Sequence, residues 1–227
     1  MSNFCVSDLH GCYSQWRQIQ SFCKDSDRIF VLGDCIDRGP NSLGTLKSVL
    51  NDPRVVLIKG NHEDMFQAVL EEERDFGMCR ECWDIWAQNG GITTYDEWQM
   101  DGRNFDWIPT LKRLPLQTTY INPEGVKYLM THSGTVPSWW RQDGTPIASG
   151  HDALWDRQHF NKKYEGEWIC IGGHTPILLL IPNNSEWLGG AFYHCDNRKI
   201  NIDNCTYHTG MSCLFDLDTY DEHIFEG

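Results

Sequence analysis

The stretch Gly33-Asp34-Cys35-Ile36-Asp37-Arg38-Gly39 decides how the rest of this chain is read. It follows an apolar run, Arg28 to Leu32, with the composition of a buried strand. Asp34 therefore stands where a strand ends. Asp37 and Arg38 follow in a turn, and Pro40 keeps the strand from continuing. A structural turn needs at most one carboxylate, to cap the next helix. Two carboxylates beside a guanidinium and two glycines suit a site that holds metal and phosphate.

The same arrangement recurs on either side. Phe4-Cys5-Val6 reads as a short strand followed by Asp8-Leu9-His10-Gly11, where Asp8 and His10 share a side in extended backbone. Val55 to Ile58 reads as a third strand ending at Gly60-Asn61-His62-Glu63. Between them lie helical patterns: Ser14 to Cys23, then Leu43, Leu46, Val49 and Leu50 behind a candidate N-cap, Ser42. A further helix carries Met65, Phe66, Val69 and Leu70 on one face. Asp8 and Asp34 are 26 positions apart, and Asp34 and Asn61 are 27. Each spacing is one βαβ unit of about 30 residues, so the three polar clusters fall at the carboxyl ends of neighbouring parallel strands.

Beyond Phe76 the pattern changes. Trp83, Trp86, Trp98 and Trp107 are interspersed with acids, which predicts a helical insertion at about 76–114, with Asn89-Gly90-Gly91 as a helix stop. These Trp residues are read as core, and Phe105 to Leu114 as a short helix. The second half is β-rich. Thr118–Asn122 and Val126–Thr131 flank the turn Asn122-Pro123-Glu124-Gly125 and predict a hairpin ending at His132. Ala153 to Tyr164 reads as a helix and Trp168 to Ile171 as a strand ending at Gly172-Gly173-His174. Ile177–Ile181, Lys199–Asp203 and Ser212–Leu217 read as strands, and the tail from Asp218 as short and acidic. With no linker or repeat, residues 1–227 are read as one domain.

The formal charge of −13 argues against sequence-independent binding to nucleic acid. No run approaches the ~20 apolar residues that span a bilayer, and no export signal is evident. The 10 Cys are scattered, which predicts reduced, mostly buried thiols and a cytoplasmic protein. Cys79-Arg80-Glu81-Cys82 is a lone CxxC, better read as a helical i,i+3 pair than as a zinc knuckle. Cys35 is read as packing. Oligomeric state is not legible.

The groups at strand ends are Asp8, His10, Asp34, Asp37, Arg38, Asn61, His62, His132 and His174. Carboxylate, imidazole and amide donors without an obligatory thiolate suit Mn, Fe or Zn.

At these residues the chain resembles the PPP-type metallophosphatases of the calcineurin-like superfamily. Asp8-Leu9-His10-Gly11, Gly33 to Gly39 and Gly60 to Glu63 are similar to that family's three signature blocks, and His132 and Gly173-His174-Thr175 to its two late histidines. The Asn-Gly-Gly and Trp155-Asp156-Arg157 resemble the bacterial and phage enzymes of the lambda-phosphatase kind. The resemblance covers residues 4–217 and implies an α/β (α+β) four-layer fold, a central β-sandwich flanked by helices. It implies two divalent metal ions, with Mn2+ the first expectation and Fe or Zn the alternatives. Asp8 and His10 would bind one ion, Asp34 would bridge, and Asn61, His132 and His174 would bind the other. Arg38 and Arg157 would hold phosphate oxygens, and His62, oriented by Asp37, would be the general acid. The activity implied is phosphomonoester hydrolysis by a hydroxide bridging the metals, on phosphoserine or phosphothreonine of a protein, with phosphotyrosine as an extension. The alternatives are diadenosine tetraphosphate hydrolysis, another small-molecule phosphomonoesterase or phosphodiesterase, and an inactive binding module. Two departures stand out. Ser7 replaces the usual Gly, and the element from Asn201 to Gly210 is stretched, which raises the question of substrate access.

Overall fold

A computed structural model describes residues 1–77, 80–181, 187 and 189–227. The first half runs β1 (Asn3–Val6), α1 (Tyr13–Phe22), β2 (Arg28–Val31), α2 (Ser42–Leu50), β3 (Val55–Leu57) and α3 (Asn61–Phe76). The insertion is helical: α4 (Arg80–Gln88), α5 (Ile92–Met100) and α6 (Trp107–Lys112). The second half holds β4 (Gln117–Ile121), β5 (Lys127–Thr131), β6 (Trp139–Trp140), β7 (Pro146–Ile147), α7 (Gly150–Trp155), β8 (Ile169–Gly172), β9 (Phe192–His194), β10 (Lys199–Asn201), α8 (Thr206–Thr209), β11 (Met211–Asp216) and β12 (Glu222–Glu226).

Two five-stranded sheets form, in the orders β12-β11-β1-β2-β3 and β4-β5-β8-β10-β9. β1, β2 and β3 pair in parallel, as their βαβ spacing predicts. In the other sheet β5, β8 and β10 are parallel neighbours and β4 and β5 make the predicted hairpin. Strand alternation sends Cys5, Phe30 and Leu32 toward Tyr128, Met130, Ile169 and Ile171, which closes the sandwich core. The opposite face of the first sheet, with Val6, Ile29 and Val31, packs on Trp16, Ile19, Leu46 and Phe66 of the helices. This is the mixed α/β architecture, a β-sandwich with flanking helices, that the resemblance implies. Burying both faces explains why β1 and β2 read as continuous apolar runs.

Several local expectations change. Ile177–Ile181 is not a strand, because residues Ile177–Leu179 form a 3₁₀ turn. Pro176 lacks an amide proton, and the Ile177 amide is taken by the Asp203 carbonyl. The helix expected over 153–164 stops at Trp155. There Asp156 turns the chain by accepting the Gln158 amide at 2.7 Å, while its other oxygen accepts the Thr135 hydroxyl at 2.8 Å. Ser42 is not the N-cap of α2. Its amide and that of Leu43 each donate at 2.7 Å to the carboxylate of Glu97 on α5, so the insertion caps the helix. The tail adds β12, antiparallel to β11.

Trp86, Trp98 and Trp107 are buried in the helical core, as expected. Cys5, Cys23, Cys35, Cys170 and Cys213 are buried free thiols, and burial pushes Cys35 well above the usual thiol range. Of the CxxC, Cys79 lies outside the described residues, and Cys82 stands on α4, packed against the core. Among the described residues no helix is long and apolar enough to cross a membrane.

One ion pair staples the first layer. Asp52 accepts from Arg54 Nε at 2.9 Å and Nη2 at 2.7 Å, and Arg54 Nη1 reaches the Cys23 carbonyl at 2.6 Å. This fork lowers Asp52 to about 2. The folded value lies below the unfolded one, so the stabilisation is complete above about pH 4 and is lost as pH falls toward 2. Asp52→Asn is expected to cost on the order of 1 kcal/mol at pH 7, allowing for solvent screening. Urea titrations of both proteins at pH 7 and pH 3 should show this gap narrowing in acid.

Candidate metal centre

The site forms where the strand ends of both sheets meet. Six of its residues hold left-handed backbone: Asp8 (φ 54°), His10 (42°), Asp34 (53°), Asp37 (71°), Arg38 (67°) and His174 (67°). Such conformations cost a non-glycine residue energy and cluster at functional sites. Here each strand end must turn sharply to present a side chain instead of running on. Gly173 allows the closest approach, since a Cβ there would lie 1.9 Å from Ser7 Oγ and Asp8 Oδ2. Ser7 is thus more than a small replacement, because its hydroxyl donates to Asp8 Oδ2.

Asp34 is the centre. Its Oδ1 accepts the His62 amide at 3.0 Å, at the start of α3. Its Oδ2 lies 3.3 Å from His132 Nε2 and 3.7 Å from both His10 Nε2 and His62 Nε2. Ligand atoms of His10, Asp34 and His62 lie within 4.8 Å of one another, as do those of Asp34, His132 and His174. Two potential cation sites therefore share Asp34.

The ring tautomers test whether cations fit. His132 Nδ1 faces the Leu32 carbonyl at 2.8 Å and can only donate there, so Nε2 is the nitrogen left to face the cluster. Nε2 points at Asn61 Oδ1 (2.8 Å), His174 Nδ1 (3.2 Å) and Asp34 Oδ2. His10 repeats the device: Nδ1 faces the Ile36 carbonyl at 2.8 Å, and Nε2 is left toward Asp34 and Asp8 Oδ1, 3.9 Å away. Oxygens and ring nitrogens that converge so closely are held together by shared protons or by a metal cation. His174 faces the same cluster through Nδ1, 2.9 Å from Asn61 Oδ1. The residues present thus fit divalent ions, and this N/O donor set suits first-row metals.

Burial and neighbouring charges shift these groups in opposite directions. Burial opposes charge on His132, but Asp34 outweighs it and raises the ring to about 10. Burial, then His132 and Arg157, depress His174 to about 2. Burial raises Asp8. Burial also opposes charge on Asp34, yet His132 and His62 hold it well below the carboxylate range.

The predicted phosphate-binding and acid groups adjoin these clusters. Arg38 Nη1 lies 2.6 Å from His10 Nε2 and Nη2 lies 3.0 Å from His62 Nε2. Arg157 Nη1 donates to the His174 carbonyl at 3.1 Å and reaches Thr175 Oγ1 at 3.3 Å, at the edge of the second cluster. His62 Nδ1 meets Asp37 Oδ2 at 2.6 Å. Burial opposes charge on His62, but Asp34 and Asp37 raise its pKa.

All ten candidate residues read from the sequence lie in this region. The grouping differs in one respect: His62, read as an acid outside the metal shell, also falls within the first triad.

Sequence reasoning missed several partners. Glu63, buried and pushed up to about 7 by burial and then by Asp34, accepts the amides of Asp34 (2.8 Å), Cys35 (2.8 Å) and Gly60 (2.9 Å). Its place beside Asn61-His62 was the available signal. Tyr207, half-exposed on α8, lies under the Arg38 guanidinium at 5.1 Å and edge-on to His10 at 5.7 Å. The stretched element therefore sits at the rim of the site. Asp203, also buried there, accepts the Cys205 amide at 2.8 Å.

Comparison with known proteins agrees with this geometry. Residues 3–203 match the family model for the calcineurin-like phosphoesterases. Serine/threonine-protein phosphatase 2 of Escherichia coli is 30% identical over 173 residues, 74% of this chain and 73% of that protein. A symmetrical bis(5'-nucleosyl)-tetraphosphatase of Nitrosospira multiformis is 28% identical over 144 residues, 61% of this chain and 46% of that protein. The chain thus spans about half the length of such relatives. Among solved structures, a putative diadenosine tetraphosphatase superposes with a TM-score of 0.62 at 16% identity, covering 99% of this chain and 93% of that one. Two candidate cation clusters sharing one aspartate, two sheets flanked by helices and a family match over residues 3–203 lead to one conclusion: the chain belongs to the calcineurin-like phosphoesterase family.

Proposed function

We propose that this protein is a metal-dependent phosphoester hydrolase in which Asp8, His10, Asp34, Asn61, His132 and His174 hold two divalent cations. The convergence of His132, His174, Asn61 and Asp34 acceptor atoms carries this reading. When bound, such a pair supplies Lewis acidity and makes water nucleophilic near neutral pH. The family's centre is dinuclear, and Mn2+, with Fe or Zn as alternatives, is the proposed occupant.

The chain's own residues do the rest. Arg38 and Arg157 flank the two clusters and would grip phosphoryl oxygens, compensating charge as the P–O bond breaks. His62 gives its Nδ1–H to Asp37, so a proton for the leaving oxygen can come only from Nε2. Arg38 Nη2 ends 3.0 Å from that atom, so a phosphoryl group held by Arg38 has its ester oxygen within His62's reach.

Two substrate classes follow from the relatives. The tetraphosphatase relative and the solved diadenosine tetraphosphatase neighbour favour a dinucleoside polyphosphate, and this is the reading preferred here. The phosphatase relative, matched over about three quarters of both chains, favours a phosphoprotein. The His62–Asp37 pair also suits that class, because the alkoxide of serine or threonine needs a proton more than a pyrophosphate leaving group does.

Purified protein loaded with Mn2+ should cleave diadenosine tetraphosphate faster than a phosphoserine peptide, with product formation followed by chromatography. The reverse order favours the phosphoprotein reading, and activity that survives complete chelation rules out both. Metal analysis should find two equivalents, reduced to one in His174→Ala. His62→Asn should keep both while turnover falls about 10²-fold or more; loss of one ion from that variant would make His62 a ligand instead of the acid.

A further inference from the structure

We infer that the helical insertion is a working part of the acid-donating machinery: Trp86 and Thr94 are positioning residues that clamp Asp37 and thereby aim His62 at the leaving oxygen. The inference rests on the hydrolase reading above and adds residues and a chain segment to it.

The Asp37 carboxylate is wholly buried, and among the described residues its ion-pair partner is His62 alone. Two side chains of the insertion complete its coordination. Trp86 Nε1 on α4 donates at 2.8 Å to Oδ2, the same oxygen that meets His62 Nδ1. The Thr94 hydroxyl on α5 donates to Oδ1 and accepts the Asp37 amide at 3.0 Å. A carboxylate bonded on both oxygens cannot rotate about its Cβ–Cγ bond. Its plane then fixes the direction of the imidazole it holds, as outer partners fix ligand rings in metal sites.

Trp86 is itself seated for this. Its indole stacks on Phe66 at 5.2 Å and 22°, and Phe66 lies on α3, the helix that begins at Asn61-His62. On the other side it rests on Gly91, where a Cβ would come within 2.4 Å of the ring. The neighbouring Gly90 carbonyl accepts the Arg38 amide at 3.0 Å, and a Cβ at Gly90 would lie 2.7 Å from Arg38 Cγ. Residues 86–94 therefore touch both members of the left-handed Asp37-Arg38 pair. A Trp that only filled space would need no N–H on this carboxylate.

Trp86→Phe keeps the stacked ring and removes the N–H. Thr94→Val keeps the shape and removes the hydroxyl. Each Mn2+-loaded variant is assayed on p-nitrophenyl phosphate, whose leaving group departs without a proton, and on an alkyl phosphate, whose leaving group requires one. The clamp predicts a loss of about tenfold on the alkyl ester and under about threefold on the nitrophenyl ester. In a His62→Asn background the same replacements should cost nothing more, because they act through that ring. Equal losses on both esters, or additive losses in that background, overturn the inference. Proton NMR reads the clamp without turnover: the His62 Nδ1–H should be far downfield and slow to exchange in wild type and broadened in both variants. An unchanged resonance also overturns the inference. If the wild type cleaves neither ester, the resonance decides the clamp, and the assays on diadenosine tetraphosphate and the phosphoserine peptide decide the hydrolase reading. If Trp86→Phe does not fold, Thr94→Val decides.

Discussion

Everything in this molecule is arranged around one carboxylate used on two sides. Asp34 gives one oxygen to the amide at the start of α3 and leaves the other among three imidazoles. Burying a carboxylate this completely costs several kcal/mol unless charge and hydrogen bonds compensate. The compensation comes from both sheets: His10 and His62 follow β1 and β3 of one, and His132 follows β5 of the other. Asp34 is thus satisfied only when the sandwich has closed, so the candidate metal site and the fold stand or fall together.

A second buried acid keeps that arrangement rigid. Glu63 collects amides from the ends of β2 and β3, fixing the turn that carries Asp34 against the one that carries Asn61 and His62. Two buried acids so near each other raise the local cost. The three amide bonds lower it, and cations at the adjoining clusters would lower it further. The left-handed residues mark where this constraint is stored. Each turns a strand end inward, and a flexible loop would not hold it there.

The insertion has the same logic. Its Trp residues form core, as their composition suggests, yet α5 also caps α2 through Glu97, and α4 and α5 enclose Asp37. One surface supplies packing, a helix cap and the setting of the Asp37 carboxylate. A single sequence cannot reveal this, because Trp86 and Thr94 lie 49 and 57 positions from Asp37. No periodicity connects them.

The regular spacing of Asp8, Asp34 and Asn61 at the ends of apolar runs was enough to determine parallel strands and a shared edge, and to point to a metal-binding chemistry. Those are consequences of βαβ geometry and of which atoms carry lone pairs, both local properties of a chain. The failures were local too: Pro176 and Asp156 turned the chain where apolar content predicted continuation. Which nitrogen of each histidine faces inward was decided only by folding, because the Ile36 and Leu32 carbonyls that set the tautomers of His10 and His132 come from distant segments. The placement of Tyr207 at the rim and of Trp86 behind the acid likewise depends on contacts made across the sheets and the insertion, where proximity in space has no counterpart in sequence.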